Sequence, residues 1–298
     1  MRINPVMEKE LKVRMRNWKA AGMIGGYVGV LMLFVMFVLI ETIMNSYYSS
    51  YGGGEFVTIY AILAIIQFVL IAFIVPALTA GSIAGERERQ TLDLLLCTKL
   101  SPISIILGKL FTSINQILLL IVAALPVFSI IFFFGGISLF QLLQLLIFYV
   151  ILTITIGSIG IFCSTFIKRT TPATVLTYVF IMFLTLGTIF IAALYLLIYN
   201  RTGTMQNTFP LIYLNPIAGL GSLLTSQVGN AGMFYIPGVY NFTGKEIAPF
   251  WVINCGINLI MSAVFLLLAS IKLNPIKKSK KIKINKVKKN KKDKIKSK

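Results

Sequence analysis

Histidine is absent from the 298 residues, and aspartate and glutamate together number only nine. The first absence removes the usual general base and the commonest transition-metal ligand. The second leaves few groups for acid–base chemistry of any kind. Charged residues of both signs make up 12% of the chain, against about 25% in a soluble domain. That is too few to dress an ordinary water-facing surface. Cysteine occurs three times, at Cys97, Cys163 and Cys255. An odd, scattered set gives neither a disulfide framework nor a metal-binding spacing, so no metal site is expected. A phosphate-cradling loop is also missing. It requires G-x-x-x-x-G-K-[ST], but Gly108-Lys109 has Ile103 where the first glycine belongs. Gly244-Lys245 has Val239 there and is followed by Glu246.

What is present in quantity is apolar residue, 57% of the chain. A span needs about 20 mostly apolar residues, and the pattern predicts six, over roughly 20–40, 57–80, 103–134, 139–167, 173–199 and 249–271. Together they make residues 1–271 one all-α integral membrane domain. Span one contains two overlapping GxxxG pairs, Gly22/Gly26 and Gly25/Gly29, a spacing that lets helix backbones approach closely in lipid. Pro126 predicts a kink in span three. Asn4-Pro5 is a helix start, and Met7, Leu11, Met15 and Trp18 then recur at helical spacing among basic residues. Residues 1–19 are therefore predicted as an amphipathic helix in the headgroup layer. Between spans five and six, the apolar stretch from Phe209 to Leu224 is broken by Pro210, Pro216, Gly219 and Gly221. It is too short to cross as one helix, which predicts a re-entrant or interfacial segment protected by protein.

The net charge of +19 invites a nucleic-acid reading, but its location argues against one. Residues 272–298 hold fourteen lysines and one aspartate, leaving only +6 for the rest. Such a run predicts a disordered basic tail that is attracted to anionic lipid by about 1 kcal/mol per basic residue. The other basic residues alternate between loops. Arg2, Lys9, Lys12, Arg14, Arg16 and Lys19 precede span one; Arg87, Arg89, Lys99 and Lys109 follow span two; Lys168 and Arg169 follow span four. The other side has only Arg201 and Lys245. The positive-inside rule then predicts six spans in the cytoplasmic membrane, with both termini and the tail cytoplasmic.

The most informative stretch is Gly85–Lys109, GERERQTLDLLLCTKLSPISIILGK. Glu86, Arg87, Glu88 and Arg89 alternate in sign, and Leu92, Leu95 and Leu96 follow at helical spacing. This predicts a short amphipathic helix on the cytoplasmic side, with an apolar ridge suited to a groove and a polar rim. On pattern alone it is equally a surface connector between two spans. The stretch resembles the coupling segment of ABC type-2 exporter permeases: a glutamate–arginine cluster, Thr91, the leucine run, Ser101-Pro102, and Gly108-Lys109 leading into span three. Asn4-Pro5 with Glu8, Lys9, Glu10, Leu11, Arg14, Met15 and Arg16 resembles that family's connecting helix. Leu214-Asn215-Pro216 resembles its segment before the last span.

The resemblance implies a membrane subunit without its own ATPase site. It would work with cytoplasmic ABC ATPase subunits that bind ATP and Mg, and with a second permease subunit, identical or related. Glu86, Arg87, Glu88, Arg89, Thr91, Leu92, Leu95 and Leu96 would be the ATPase-coupling residues. Polar residues inside spans are Gln67, Asn115, Gln116, Asn254 and Asn258. They either line a polar pathway or hydrogen-bond between helices at about 0.6 kcal/mol each. No ionised side chain is predicted mid-span, which counts against ion-coupled transport. The competing reading is a non-transporting scaffold or regulator with the same shape. The identity of any cargo is not encoded in these features.

Overall fold

The computed structural model describes residues 18–46, 55–97, 101–133, 137–199, 209–228 and 249–273. The predicted interfacial helix over 1–19, apart from its last two residues, and the lysine tail beyond Leu273 lie outside them. Among the described residues all regular structure is helical, and six helical stretches are long and apolar enough to cross a membrane.

The helices are α1 (Trp18–Ser46), α2 (Glu55–Thr79), α3 (Ala84–Glu88), α4 (Leu92–Leu96), α5 (Pro102–Ala123), α6 (Leu125–Phe133) and α7 (Leu139–Phe166). They continue as α8 (Thr170–Met182), a π turn (Phe183–Gly187), α9 (Thr188–Tyr199), a 3-10 turn (Pro210–Leu214), α10 (Pro216–Val228) and α11 (Phe250–Leu273). Spans one, two, four and six are built on α1, α2, α7 and α11. Span three is α5 plus α6, which part at Ala124, two residues before Pro126. Proline lacks an N–H and crowds the carbonyl four residues back, which accounts for the break. Span five is α8, the π turn and α9.

Span four is the axis of the bundle. Of its apolar stretch, 67% is buried, against 17% for span one. Leu145, Phe148, Tyr149, Leu152 and Ile156 of α7 join Leu63, Ala64, Ile71 and Val75 of α2 in one apolar core. Close approach depends on Gly160, where an added Cβ would strike the Thr79 side chain. The core-facing ridge of α1 is Tyr27, Leu31 and Val35. The glycines predicted to form a packing seam, Gly22, Gly25, Gly26 and Gly29, have no neighbour within 4 Å of a built Cβ. No described helix of this chain fills that seam.

The segment before span six forms a hairpin inside the bundle. A crossing helix needs about 20 residues, and α10 has 13. Its residues Pro216 and Ala218–Thr225 are buried. At its start, Asn215 sits beside Thr185 and Thr188, midway along span five. At its other end, Gln227 accepts from the Tyr60 hydroxyl (2.7 Å) and donates to the Gln141 carbonyl (2.9 Å), near the beginnings of spans two and four.

Candidate functional site: the charged segment between spans two and three

The stretch predicted as one amphipathic helix is two five-residue helices, α3 and α4, separated by a left-handed residue. Gln90 has φ of 58°. The Gln90 N–H reaches the Arg87 carbonyl (3.2 Å) and the Thr91 N–H reaches the Glu86 carbonyl (2.9 Å). This is the paired bonding that closes a helix at a left-handed residue, a place usually held by glycine. The chain turns there, so the two halves of the segment face different surroundings.

The charges of α3 are engaged inward, one after another. Glu86 pairs with Lys109 at 3.0 Å, and it also accepts from the Thr91 hydroxyl. Lys109 lies in the second turn of α5 and is nearly buried, with its side chain 5% exposed against 29% for Glu86. Burial alone would raise the Glu86 carboxyl. The Thr91 hydroxyl, the pairing with Lys109 and the field of Arg89 outweigh it and hold Glu86 below its ordinary value.

Arg87 donates to the Ile167 carbonyl (3.2 Å) and the Thr165 carbonyl (3.3 Å), at the C-terminus of α7. Glu88 accepts from the Thr170 N–H and the Thr170 hydroxyl, both at 2.9 Å, at the N-terminus of α8. Those two bonds hold the exposed Glu88 carboxyl below its ordinary value. A helix C-terminus is partially negative and an N-terminus partially positive. Each charge therefore sits on the helix end of opposite sign. Just before them, the Ser164 hydroxyl of α7 accepts from the Ile83 N–H (3.0 Å) and the Ala84 N–H (2.9 Å).

The second half is different. Leu92 is buried in a small apolar cluster with Ile83, Ile105 and Ile106, and the half-buried Leu95 and Leu96 pack against that cluster. Arg89, Gln90, Asp93 and Leu94 are exposed, Leu94 at 72%. Of the eight predicted coupling residues, Glu86, Arg87, Glu88 and Thr91 bond inward, and Leu92, Leu95 and Leu96 seat the segment. Only Arg89 is left on the outer face. Asp93 and Leu94, which share that face, were not among the eight. The alternation of leucines marks Leu94 as off the apolar ridge, so the signal was there. The partners Ser164, Thr165 and Thr170 carried none.

The polar residues within spans divide in a similar way. Asn254 is fully buried and donates to the Tyr213 carbonyl (2.7 Å) and the Asn215 carbonyl (3.0 Å). Asn258 donates to the Asn254 carbonyl and side-chain oxygen, both at 2.9 Å. Asn254 thus bonds between elements, and the Asn258 side chain bonds within α11 and orients Asn254. Gln67 is buried (1% exposed) on α2, and its amide makes no hydrogen bond of normal geometry. The Gln116 amide lies 3.9 Å from the Met23 sulfur, which ties span three to span one. Asn115 faces outward on α5. The five do not converge on one site.

A family model described as an ABC-2 family transporter protein matches residues 5–270. The chain belongs to the ABC-2 transporter family. No curated protein matches it. As an ABC-2 permease it is a multi-pass membrane subunit of an ABC transporter. The match covers the first five spans, the segment between spans two and three, the hairpin before span six, and span six up to its last turn.

Proposed function

We propose that the chain is the membrane half of an exporter in the cytoplasmic membrane, driven by a separate cytoplasmic ATPase that docks on the outer face of residues 89–94. The observation that carries this reading is the two-sided character of the charged segment. Its inner side is bonded to the ends of spans four and five through Arg87 and Glu88. Its outer side presents Arg89, Asp93 and Leu94 to a partner. A protruding leucine flanked by opposite charges suits an apolar pocket with a polar rim. A push on the segment reaches three spans at once: span three through Glu86–Lys109, span four through Arg87 and span five through Glu88. ATP and Mg, bound by the partner, supply the differential affinity that any ligand-driven change of state requires.

The same reading assigns the exposed side of span one, with its open glycine row, to a second permease subunit. It places both termini on the cytoplasmic side and the lysine tail against anionic lipid. The cargo is an unidentified solute compatible with a pathway lined by few polar groups.

The test is co-purification. Tagged permease should retain its ATPase from detergent-solubilised membranes. Arg89→Glu combined with Leu94→Asp should reduce that recovery at least tenfold while leaving permease yield unchanged. Full recovery with the double variant would overturn the docking assignment. Arg87 is unsuited to this test, because reversing it also uncaps α7.

A further inference from the structure

Span five is interrupted by the π turn Phe183–Gly187. A π turn takes one residue more than an α turn, is rare, and is frequent at functional sites. It displaces the backbone hydrogen bonds around it, and side chains here meet the carbonyls of that region. The Thr185 hydroxyl donates to the Ile181 carbonyl (2.8 Å) and the Thr188 hydroxyl to the Leu184 carbonyl (2.8 Å). The Asn215 amide nitrogen donates to the Thr185 carbonyl and the Thr188 hydroxyl, both at 2.7 Å. Gly187 lies in the same turn, and a Cβ there would meet the Phe183 ring at 3.0 Å.

Asn215 is fully buried and uses every other group it has. Its side-chain oxygen accepts from the Ile217 N–H (2.8 Å) at the start of α10, and its backbone carbonyl accepts from Asn254 (3.0 Å) on α11. One residue therefore joins three places: its side chain ties the interrupted middle of span five to the mouth of the buried half-helix, and its backbone carbonyl ties both to span six.

We propose that Asn215 is a positioning residue for transport that holds span five in its π register. Release of its two donated bonds lets residues 183–187 relax to an α turn. Relaxation turns α9 relative to α8 by about 100° and moves it by about 1.5 Å, the increments of one α-helical residue. The threonine hydroxyls keep their carbonyl partners four residues back in either register. No ionised group is moved through lipid, which avoids the largest cost such a change could carry.

Two variants separate this role from simple packing. Asn215→Ser keeps a side-chain oxygen able to cap α10 and loses the amide that reaches Thr185 and Thr188, without placing an ionisable group beside the middle of span five. Deleting Leu186, which is 53% exposed, removes the extra residue and leaves span five α-helical with α9 in its resting place. Spin labels at Leu197→Cys and Val252→Cys, both exposed, report the position of α9 in a Cys97→Ser background. In lipid nanodiscs without ATPase, Asn215→Ser should shift the label distance by several ångströms, to the value that wild type adopts when its ATPase is trapped with ATP and vanadate. The Leu186 deletion should keep the resting distance and lose the nucleotide-driven shift. Size-exclusion profiles confirm that both variants are folded. An unshifted Asn215→Ser, or a Leu186 deletion that still moves with nucleotide, would overturn the proposal. If wild type ignores nucleotide while Asn215→Ser still shifts, the ATP-coupled reading above fails and the register switch stands.

Discussion

Around Ile83–Thr91 the chain joins its helices with full charges: Glu86 to Lys109, Arg87 to the end of α7, Glu88 to the start of α8. Around Asn215 it joins three elements with no charge at all, only amides and hydroxyls. The helical run containing span two reaches Glu88 and is 32 residues long, about twelve more than a bilayer core needs. Its charged end therefore has water within reach, and ions there remain affordable. Asn215 sits beside the middle of span five, where an ionised group would cost several kcal/mol. Polar chemistry follows depth: charge at the rim makes a stiff joint, and neutral groups in the interior make one that can change partners.

Removing a member of the interior joint should have the largest effect. Asn254→Leu takes the side-chain donor from the Tyr213 and Asn215 carbonyls and one of its two acceptors from the Asn258 amide. It should lower stability in detergent by about 3 kcal/mol, at the cost expected for buried groups left without partners. A loss under about 1 kcal/mol would mean the interior amides serve as packing alone. At the rim, Lys109→Met leaves Glu86 without its cation. The expected loss is about 2 kcal/mol, below the full cost of a stranded buried charge, because Glu86 keeps contact with water. The double variant Glu86→Gln, Lys109→Met should recover most of it in the same thermal-unfolding assay. Arg87→Gln removes a cation from a helix C-terminus and should lose about 1 kcal/mol, with the weakening concentrated in amide exchange at the end of α7. The smallest effect is a gain. Gln90→Gly relieves a left-handed residue and costs some unfolded-chain entropy, for a net of about 0.5 kcal/mol.

The six spans were legible because bilayer thickness imposes one length on each apolar run. The kink at Pro126 was legible because proline breaks the ladder wherever it falls, although the helices part at Ala124 rather than at the proline itself. Asn254 and Asn258 could be placed on one face from their spacing of four. Their partners could not, since Tyr213 and Asn215 lie about forty positions away. The same holds at the rim. Glu88 and Thr170 are 82 residues apart, and alternation of sign says nothing about which charges turn inward. The split between α3 and α4 was hidden because a glutamine occupies the left-handed position where glycine would have announced a turn. A π turn leaves one residue's slip in a helix that has no charged face to reveal it.

The proposed motor contact lies on the outer face of residues 89–94, three positions before Cys97. Cys97 is the exposed cysteine among the described residues, and Cys163 and Cys255 are buried. A membrane-impermeant maleimide should therefore label Cys97 in inside-out vesicles, fail to label it in intact cells, and be blocked when the ATPase is bound. Labelling of Cys97 from the outside of intact cells, or equal labelling with and without the ATPase, would contradict the account.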